Sequence, residues 1–267
     1  MKADLHIHST VSDGSDTILE IIRKARGKGL DMIAITEHDT LSHQAQIPAE
    51  PGIRVICGVE LSAVHKETGT RTHILGYNIQ TPGLITALGQ PILEARNRNS
   101  ERQAAILAAH GFAIDLGKLA RADGKYLYKQ HVMDWLVATG QVGERFGAFY
   151  KTTFKNGGIC AFDIDYTDVF DAVKTVKAAG GLAVLAHPGQ QQNFWLVPEL
   201  TAAGLDGLEL NHPANSAQDR DVIRQLAAGH GLFLTGGSDY HGRYEPQPFE
   251  VGDFLSDESG VTAICQA

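Results

Sequence analysis

An α/β fold built on a barrel-like sheet, with a helical subdomain inserted into it, is predicted for this chain of 267 residues. Three observations predict it. Short apolar runs alternate with amphipathic helical stretches in both the first and the last third of the chain. The middle, residues 82–153, drops that alternation and keeps helical periodicity alone. Histidines and carboxylates gather where the apolar runs end, which is where open and closed α/β sheets collect their ligands.

In order along the chain, Leu5–Thr10 reads as the first strand. Thr17-Ile18-Leu19-Glu20 is a capping box that opens a helix running to about Lys28 and stopped by Gly29. Met32–Thr36 is a continuous apolar strand suited to burial on both faces. Arg54–Ala63 and Thr72–Ile79 are two more strands. In the middle region Ile92–Ala109 is one long helix and Tyr126–Thr139 another, so residues 1–81 and 154–267 are expected to form the barrel and 82–153 an inserted subdomain able to serve as a substrate cap. After Gly157-Gly158 the alternation returns. Helix Asp168–Ala179 closes on Gly180-Gly181, strand Leu182–Ala186 follows, and helix Val197–Ala203 closes on Gly204. Strand Gly207–Asn211, helix Ala217–Ala228 and strand Leu232–Thr235 complete the series and lead into Gly236-Gly237-Ser238-Asp239.

Composition narrows the function. Hydrophobic residues make up 43% and charged residues 20%, an ordinary globular balance. The formal net charge of −8 argues against broad binding to nucleic acid, and clustered carboxylates need counter-charge, which bound cations supply. Cys57, Cys160 and Cys265 are too few and too scattered for a disulfide framework or a thiolate zinc motif and are expected to pack as small apolar residues. No apolar run reaches the roughly 18–20 residues that span a bilayer, and the start, Met1-Lys2-Ala3-Asp4, has no signal-peptide pattern. A reducing, cytoplasmic setting with no membrane and no obligate protein partner is the expectation.

The ligand-type residues fall at almost every strand end. They are His6 and His8 with Asp13 after the first strand, Glu37-His38-Asp39 after the second, and Glu60 on the third. His187 follows the strand after the insertion, Glu209 and His212 attend the next, and Asp239-Tyr240-His241 follows the last. His73 is the exception, near the start of its strand. His6 and His8, two apart, share one face of a strand and can hold one ion. Imidazole and carboxylate without thiolate suits manganese, iron or zinc and tolerates magnesium. Nine such groups exceed what one ion takes, so two or three ions are implied. His43, His65, His110 and His230, near helix ends or loops, are expected at the surface.

These stretches, together with Asp4-Leu5-His6-Ile7-His8, Ser12-Asp13-Gly14, Ile35-Thr36-Glu37-His38-Asp39, Gly58-Val59-Glu60, His73-Ile74-Leu75-Gly76, Ala186-His187-Pro188 and Gly237-Ser238-Asp239-Tyr240-His241-Gly242, resemble the PHP (polymerase and histidinol phosphatase) family of metal hydrolases. The resemblance implies a distorted (β/α)7 barrel with a trinuclear metal site. It implies as ligands His6, His8, Asp13, His38, Glu60, His73, His187, Asp239 and His241, with Glu37 standing behind them. The insertion resembles that of the stand-alone phosphoesterase branch, which includes nucleoside 3′,5′-bisphosphate phosphatases and 5′→3′ exoribonucleases. From that branch Arg96, Arg98 and Arg102 on the first inserted helix, with Lys129 and His131, are implied as phosphate contacts. Lys129 stands where the branch has arginine and so offers a point charge instead of a fork.

The activity implied is hydrolysis of a phosphate monoester of a small metabolite, a nucleotide or nucleoside 3′,5′-bisphosphate foremost, through water activated by the ions. Two alternatives stand beside it, exonucleolytic cleavage of short oligonucleotides and hydrolysis of histidinol phosphate. The leaving group needs a proton, for which His212, Glu209 and Asp39 are the candidates.

Overall fold

The computed structural model describes residues 1–49, 51–119, 125–244 and 249–267. The strands are β1 (Ala3–Ile7), β2 (Met32–His38), β3 (Arg54–His65), β4 (Thr70–Tyr77), β5 (Thr167–Asp168), β6 (Leu182–Leu185), β7 (Gly207–Asn211) and β8 (Phe233–Gly236). The helices are α1 (Ile18–Gly27), α2 (Pro82–Ala109), α3 (Leu116–Leu119), α4 (Lys129–Ala138), α5 (Ala148–Thr153), α6 (Val169–Ala178), α7 (Pro188–Gln191), α8 (Val197–Ala202), α9 (Ala217–His230) and α10 (Glu258–Gln266). The Thr17 capping box opens α1 as its sequence requires, with the Thr17 hydroxyl accepting from Glu20 N–H and the Glu20 carboxylate accepting from Thr17 N–H.

Seven strands form one path, β1-β2-β3-β4-β6-β7-β8, and β5 pairs alongside β3. Ile7 bridges to Tyr240 just past β8, and His8 N–H donates to the Tyr240 carbonyl at 2.9 Å. The first and last strands therefore bring the sheet almost to closure as a barrel. Its distortion has a plain cause. β4 runs antiparallel to both β3 and β6, while every other pair on the path is parallel. The link from β3 to β4 is a hairpin of four residues, too short for the crossover that a parallel partner needs. Reversal carries the N-terminal end of β4 to the mouth where the other strands have their carboxyl ends. Ser62 pairs with His73, and Ala186 N–H donates to the His73 carbonyl. The misplaced histidine of the sequence is thus in place, on a strand that points the other way.

One side of the sheet is divided along its length. Met32, Ala34, Ile56, Leu75, Tyr77, Val184 and Ala186 pack with Val261 and Ile264 of α10. Following the same period of two toward the mouth gives His38, Glu60 and His73. On β1 a bulge resets the phase. Asp4 pairs with Ile33 and Ile7 with Ile35, so Leu5 and His6 together oppose Ala34. Leu5 joins the apolar cluster and His6, next to it, joins the ligands. Outside the sheet α6, α8 and α9 cover one apolar cluster that includes Val173, Leu200 and Ile223, and α1 covers another that includes Ile21, Ile33 and Ile35.

Two compact units result, 1–90 with 166–242 and 249–267, and 91–165 with a short segment that begins at Arg243. The second has its own core, in which Ala104, Leu107, Val132, Met133, Leu136, Phe154 and Cys160 pack together. The division falls inside α2 at Pro91, whose missing N–H removes one helical bond. The sequence reading starts this helix at Ile92. It runs from Pro82 because Ile85 and Ile92, seven apart, keep one buried face through the proline.

Two histidines expected at the surface are buried. His43 Nε2 sits 3.1 Å from the Ile35 carbonyl, and His65 packs edge-on against Phe170 and Trp195. All three cysteines are free, Cys160 fully buried. Among the described residues no helix is long and apolar enough to cross a membrane.

Candidate metal centre

At the mouth of the first unit nine side chains meet in three overlapping groups: His8, Asp13, His38 and His241; His6, His8, Glu60 and Asp239; and Glu60, His73 and His187. Within each group the nearest donor atoms lie within 4.8 Å of one another. Glu60 is the hub. Its Oε2 faces His6 Nε2 at 3.4 Å, His8 Nε2 at 3.2 Å and His38 Nδ1 at 3.2 Å, and its Oε1 faces His73 Nδ1 at 2.7 Å and His187 Nε2 at 2.9 Å. Asp239 Oδ1 lies 3.2 Å from both His6 Nε2 and His8 Nε2. Asp13 faces His241 Nε2 at 3.3 Å and His38 Nε2 at 3.6 Å.

These separations are those of ligand atoms around a cation. Bonds of about 2.1 Å place neighbouring ligand atoms about 3.0 Å apart in an octahedron and about 3.4 Å apart in a tetrahedron. The hydrogen-bond inventory agrees. His6 Nε2, both nitrogens of His8, His187 Nδ1 and Asp239 Oδ1 are buried without a hydrogen-bond partner, a condition that folded proteins rarely tolerate. Divalent cations suit that donor set, and the residues present fit them.

Electrostatics carry the same message. Burial opposes charge at Glu60, Asp13, Asp239 and His6, yet the cluster holds it. Burial pushes the Glu60 carboxyl up, but the charges of His73, His38 and His6 outweigh it and hold it well below the usual range. Asp13 is held down in the same way by His38 and His241, and Asp239 by His6 and His212. His6 moves the other way: burial pulls it down, but Asp239, Glu209 and Glu60 raise it well above the ordinary imidazole value. Backbone strain also collects here. His187 (φ 27°), Asp239 (φ 49°) and Asp39 (φ 58°) occupy the left-handed region, a conformation that side chains other than glycine adopt where surrounding structure enforces it.

The chain matches the PHP domain family over residues 4–175. It belongs to that family. Of its relatives, the phosphoribosyl 1,2-cyclic phosphate 1,2-diphosphodiesterase of Eggerthella lenta is 41% identical over 93% of this chain and 97% of its own length. A 5′-3′ exoribonuclease of Haemophilus influenzae is 32% identical over 90% of each chain. The 3′,5′-nucleoside bisphosphate phosphatase of Chromobacterium violaceum is 32% identical over 98% of this chain and 93% of its own. A Bifidobacterium adolescentis structure assigned to the metal-dependent phosphoesterases superposes with a TM-score of 0.88 at 28% identity, covering 99% of this chain and 95% of that one. By class the PHP chain is a metal-dependent phosphoesterase.

The three candidates for a proton donor in this PHP centre are placed differently. Glu209 has both oxygens engaged, Oε1 with His6 Nδ1 at 3.0 Å and Oε2 accepting from His187 N–H at 2.8 Å. It therefore fixes the His6 ring so that Nε2 faces Glu60 and Asp239, the placement a carboxylate takes behind an imidazole able to bind a metal. Asp39 accepts from Ser62 N–H at 2.8 Å and lies in none of the ligand groups. His212 Nδ1 accepts from Ala214 N–H at 3.0 Å, so in the neutral ring the proton sits on Nε2, which points at Asp239 Oδ2 from 3.3 Å. His6, Glu209 and His212 lie close enough to form a fourth group, but that tautomer and the engaged carboxylate make it a poor cation site.

In the helical unit the Arg96 guanidinium lies over the Tyr128 ring at 5.1 Å and Lys129 lies 5.8 Å from the Phe154 ring. Arg98 is 68% exposed and reaches Glu94 at 3.8 Å, while Arg102 lies over Phe162. His131 Nδ1 accepts from Tyr128 N–H, capping α4, and its ring meets Tyr244 edge-on. Arg98 and Arg102 line a cleft with Asn97, Lys125 and Leu127.

Two buried acids stand behind the centre, Glu37 as the sequence implied and Asp4, to which sequence reasoning gave no role. Glu37 accepts from Ser9 and Ser12, and Asp4 from Ser238, His6 and Gly252. Burial lifts Asp4 to about 6. The signal was their position inside the quoted motifs, where nothing in spacing separates a ligand from a support.

Proposed function

We propose that the protein binds three divalent ions, manganese foremost, and hydrolyses a phosphate monoester of a small ribose-containing metabolite, a nucleotide or nucleoside 3′,5′-bisphosphate. The observation that carries the reading is the convergence of buried, hydrogen-bond-lacking atoms of His6, His8 and Asp239 around Glu60. His6, His8, Asp13, His38, Glu60, His73, His187, Asp239 and His241 would hold the ions. When bound, divalent ions lower the pKa of water to about 7 and neutralise charge on a phosphoryl group.

The chain's own residues supply the rest. Glu209 orients His6. His212, whose Nε2–H is directed into the centre, donates a hydrogen bond to the leaving oxygen and stabilises its developing charge, while the proton that completes the alcohol comes from water. Arg96, Arg98, Lys129 and His131 of the helical unit, the proposed substrate cap, bind non-reacting phosphate oxygens, and the planar guanidinium groups select phosphate over a simple anion. The acidic excess lies outside that unit: of 23 Lys and Arg, 11 fall in it beside 9 of the 31 Asp and Glu. It therefore favours anions although the chain as a whole does not. Three free thiols suit a reducing, cytoplasmic setting.

A second reading, phosphodiester cleavage, is favoured by the 41% identity to a cyclic phosphate diphosphodiesterase and by the exoribonuclease relative. One assay separates them. Manganese-loaded protein is offered nucleoside monophosphates, nucleoside 3′,5′-bisphosphates, a ribose cyclic phosphate, 5′-phosphorylated oligonucleotides and histidinol phosphate, and released phosphate and shortened products are measured. Phosphate from the bisphosphates supports the first reading, and stepwise shortening or ring opening without it supports the second. Release from none of them rejects both.

A further inference from the structure

Two acid ligands in this chain are preceded by serine, Ser12-Asp13 and Ser238-Asp239, and both serines are held in the same way. Ser12 gives its N–H to Glu37 Oε2 at 3.0 Å and its hydroxyl to the same oxygen. Ser238 gives its N–H to Asp4 Oδ1 at 3.0 Å and its hydroxyl to Asp4 Oδ2 at 2.5 Å. Each receiving carboxylate is fully buried, belongs to none of the ligand groups, and takes further donors as well. Glu37 accepts the N–H and hydroxyl of Ser9, and Asp4 accepts Gly252 N–H at 2.8 Å and His6 N–H at 3.3 Å.

We propose that Glu37 and Asp4 are positioning residues, each clamping through its serine one acid ligand of one particular ion. The proposal rests on the three-ion reading above. A turn held by a backbone N–H and a side-chain hydroxyl on one carboxylate has neither translation nor rotation left, so the next residue leaves it in a fixed direction. Charge-assisted bonds of this kind are roughly twice as strong as neutral ones. Aspartate has a short stem, and a ligand oxygen displaced by half an ångström leaves the bonding range of a divalent ion. The two clamps act on different ions: Asp13 belongs with His8, His38 and His241, Asp239 with His6, His8 and Glu60. Neither clamp touches the group of Glu60, His73 and His187.

The test is a manganese titration of the full chain by calorimetry, with metal counted after dialysis, on wild type, Ser12→Ala and Ser238→Ala, and on Glu37→Gln and Asp4→Asn where these fold. Each serine variant is expected to weaken a single ion about tenfold, in the range found for outer partners of metal ligands, with the other ions unaffected and with thermal unfolding after chelation close to wild type. The two variants weaken different ions, so Ser12→Ala together with Ser238→Ala weakens two. A purely structural role would lower the chelated melting temperature and all affinities alike, which overturns the proposal. Serine variants that bind every ion as wild type does also overturn it while leaving the metal reading intact. A wild-type chain that takes up no divalent ion refutes that reading, and the clamps with it.

Discussion

Glu60→Gln is the sharpest perturbation of this site. The substitution keeps shape and volume and removes one negative charge from the middle of five imidazoles, three near Oε2 and two near Oε1. Glu60 is shared by two of the three ligand groups and absent from the one that contains Asp13 and His241. Loss of a direct ligand should exceed the tenfold to hundredfold typical of an outer partner, so two ions are each expected to weaken at least a hundredfold, about 2.8 kcal/mol apiece. The third should bind nearly as before. Manganese titration should therefore show two of three binding events lost within the working concentration range, and phosphate release should fall to background. His241→Ala makes the control, since it should cost one ion only. A Glu60→Gln protein that binds all its metal with unchanged affinity would refute the shared-carboxylate geometry.

Acid should compete with metal sooner than free histidine would. His6 is raised well above its ordinary value, so affinity should already fall at pH values where free imidazole is still neutral, with proton release on binding measurable in buffers of different ionisation enthalpy. After chelation the signs predict a stability maximum on the acid side of neutrality. Glu60, Asp13 and Asp239, all depressed, lose their contribution as pH falls through their folded values, and His6 loses its own as pH rises through its raised one; melting curves from pH 4 to 9 without metal test this. Glu209→Gln should leave the fold intact but free the His6 ring, costing tenfold to hundredfold in metal affinity at the ion held by His6; titration reads it directly. His212→Ala should keep the full metal complement and lower turnover by a hundredfold or more, and a p-nitrophenyl ester, whose leaving group needs no such hydrogen bond, should recover most of that loss.

Much of the fold was legible because the barrel strands are short apolar runs bounded by glycine turns and capped helices, signals that depend on neighbours in sequence. Three features were not. The reversal of β4 depends on the length of one hairpin, and it turned His73 from an anomaly into a member of the mouth. The β1 bulge depends on pairing with β2, so no pattern within Leu5-His6 announces it. The helix through Pro91 overrode the usual meaning of proline because buried Ile85 and Ile92 hold its face on both sides. At the site, residue type and place identified the groups that now converge, but not the difference between holding an ion and holding a holder. Glu209 stood among three candidate proton donors and is engaged by His6 and His187; Glu37 was placed behind the ligands and Asp4 was given no role, and each gathers several donors. His43 and His65 went inside because a ring nitrogen near a carbonyl and a ring edge against aromatics satisfied them, partners far from them in the chain.

The seam between Ile7 and Tyr240 has a bearing on how the protein comes into being. His8 and His241 stand 233 positions apart, yet both belong to one ligand group, so a chain emerging from the ribosome cannot assemble that group until nearly all of it has been synthesised. Contacts between such distant segments form late and slowly. Until then the early histidines lack part of their cage, and a product truncated before Asp239 would keep most of its sheet while lacking a member of two of the three ligand groups. A full complement of metal should therefore report completion of synthesis, and isotope-labelled manganese should reach its full stoichiometry only on full-length chains.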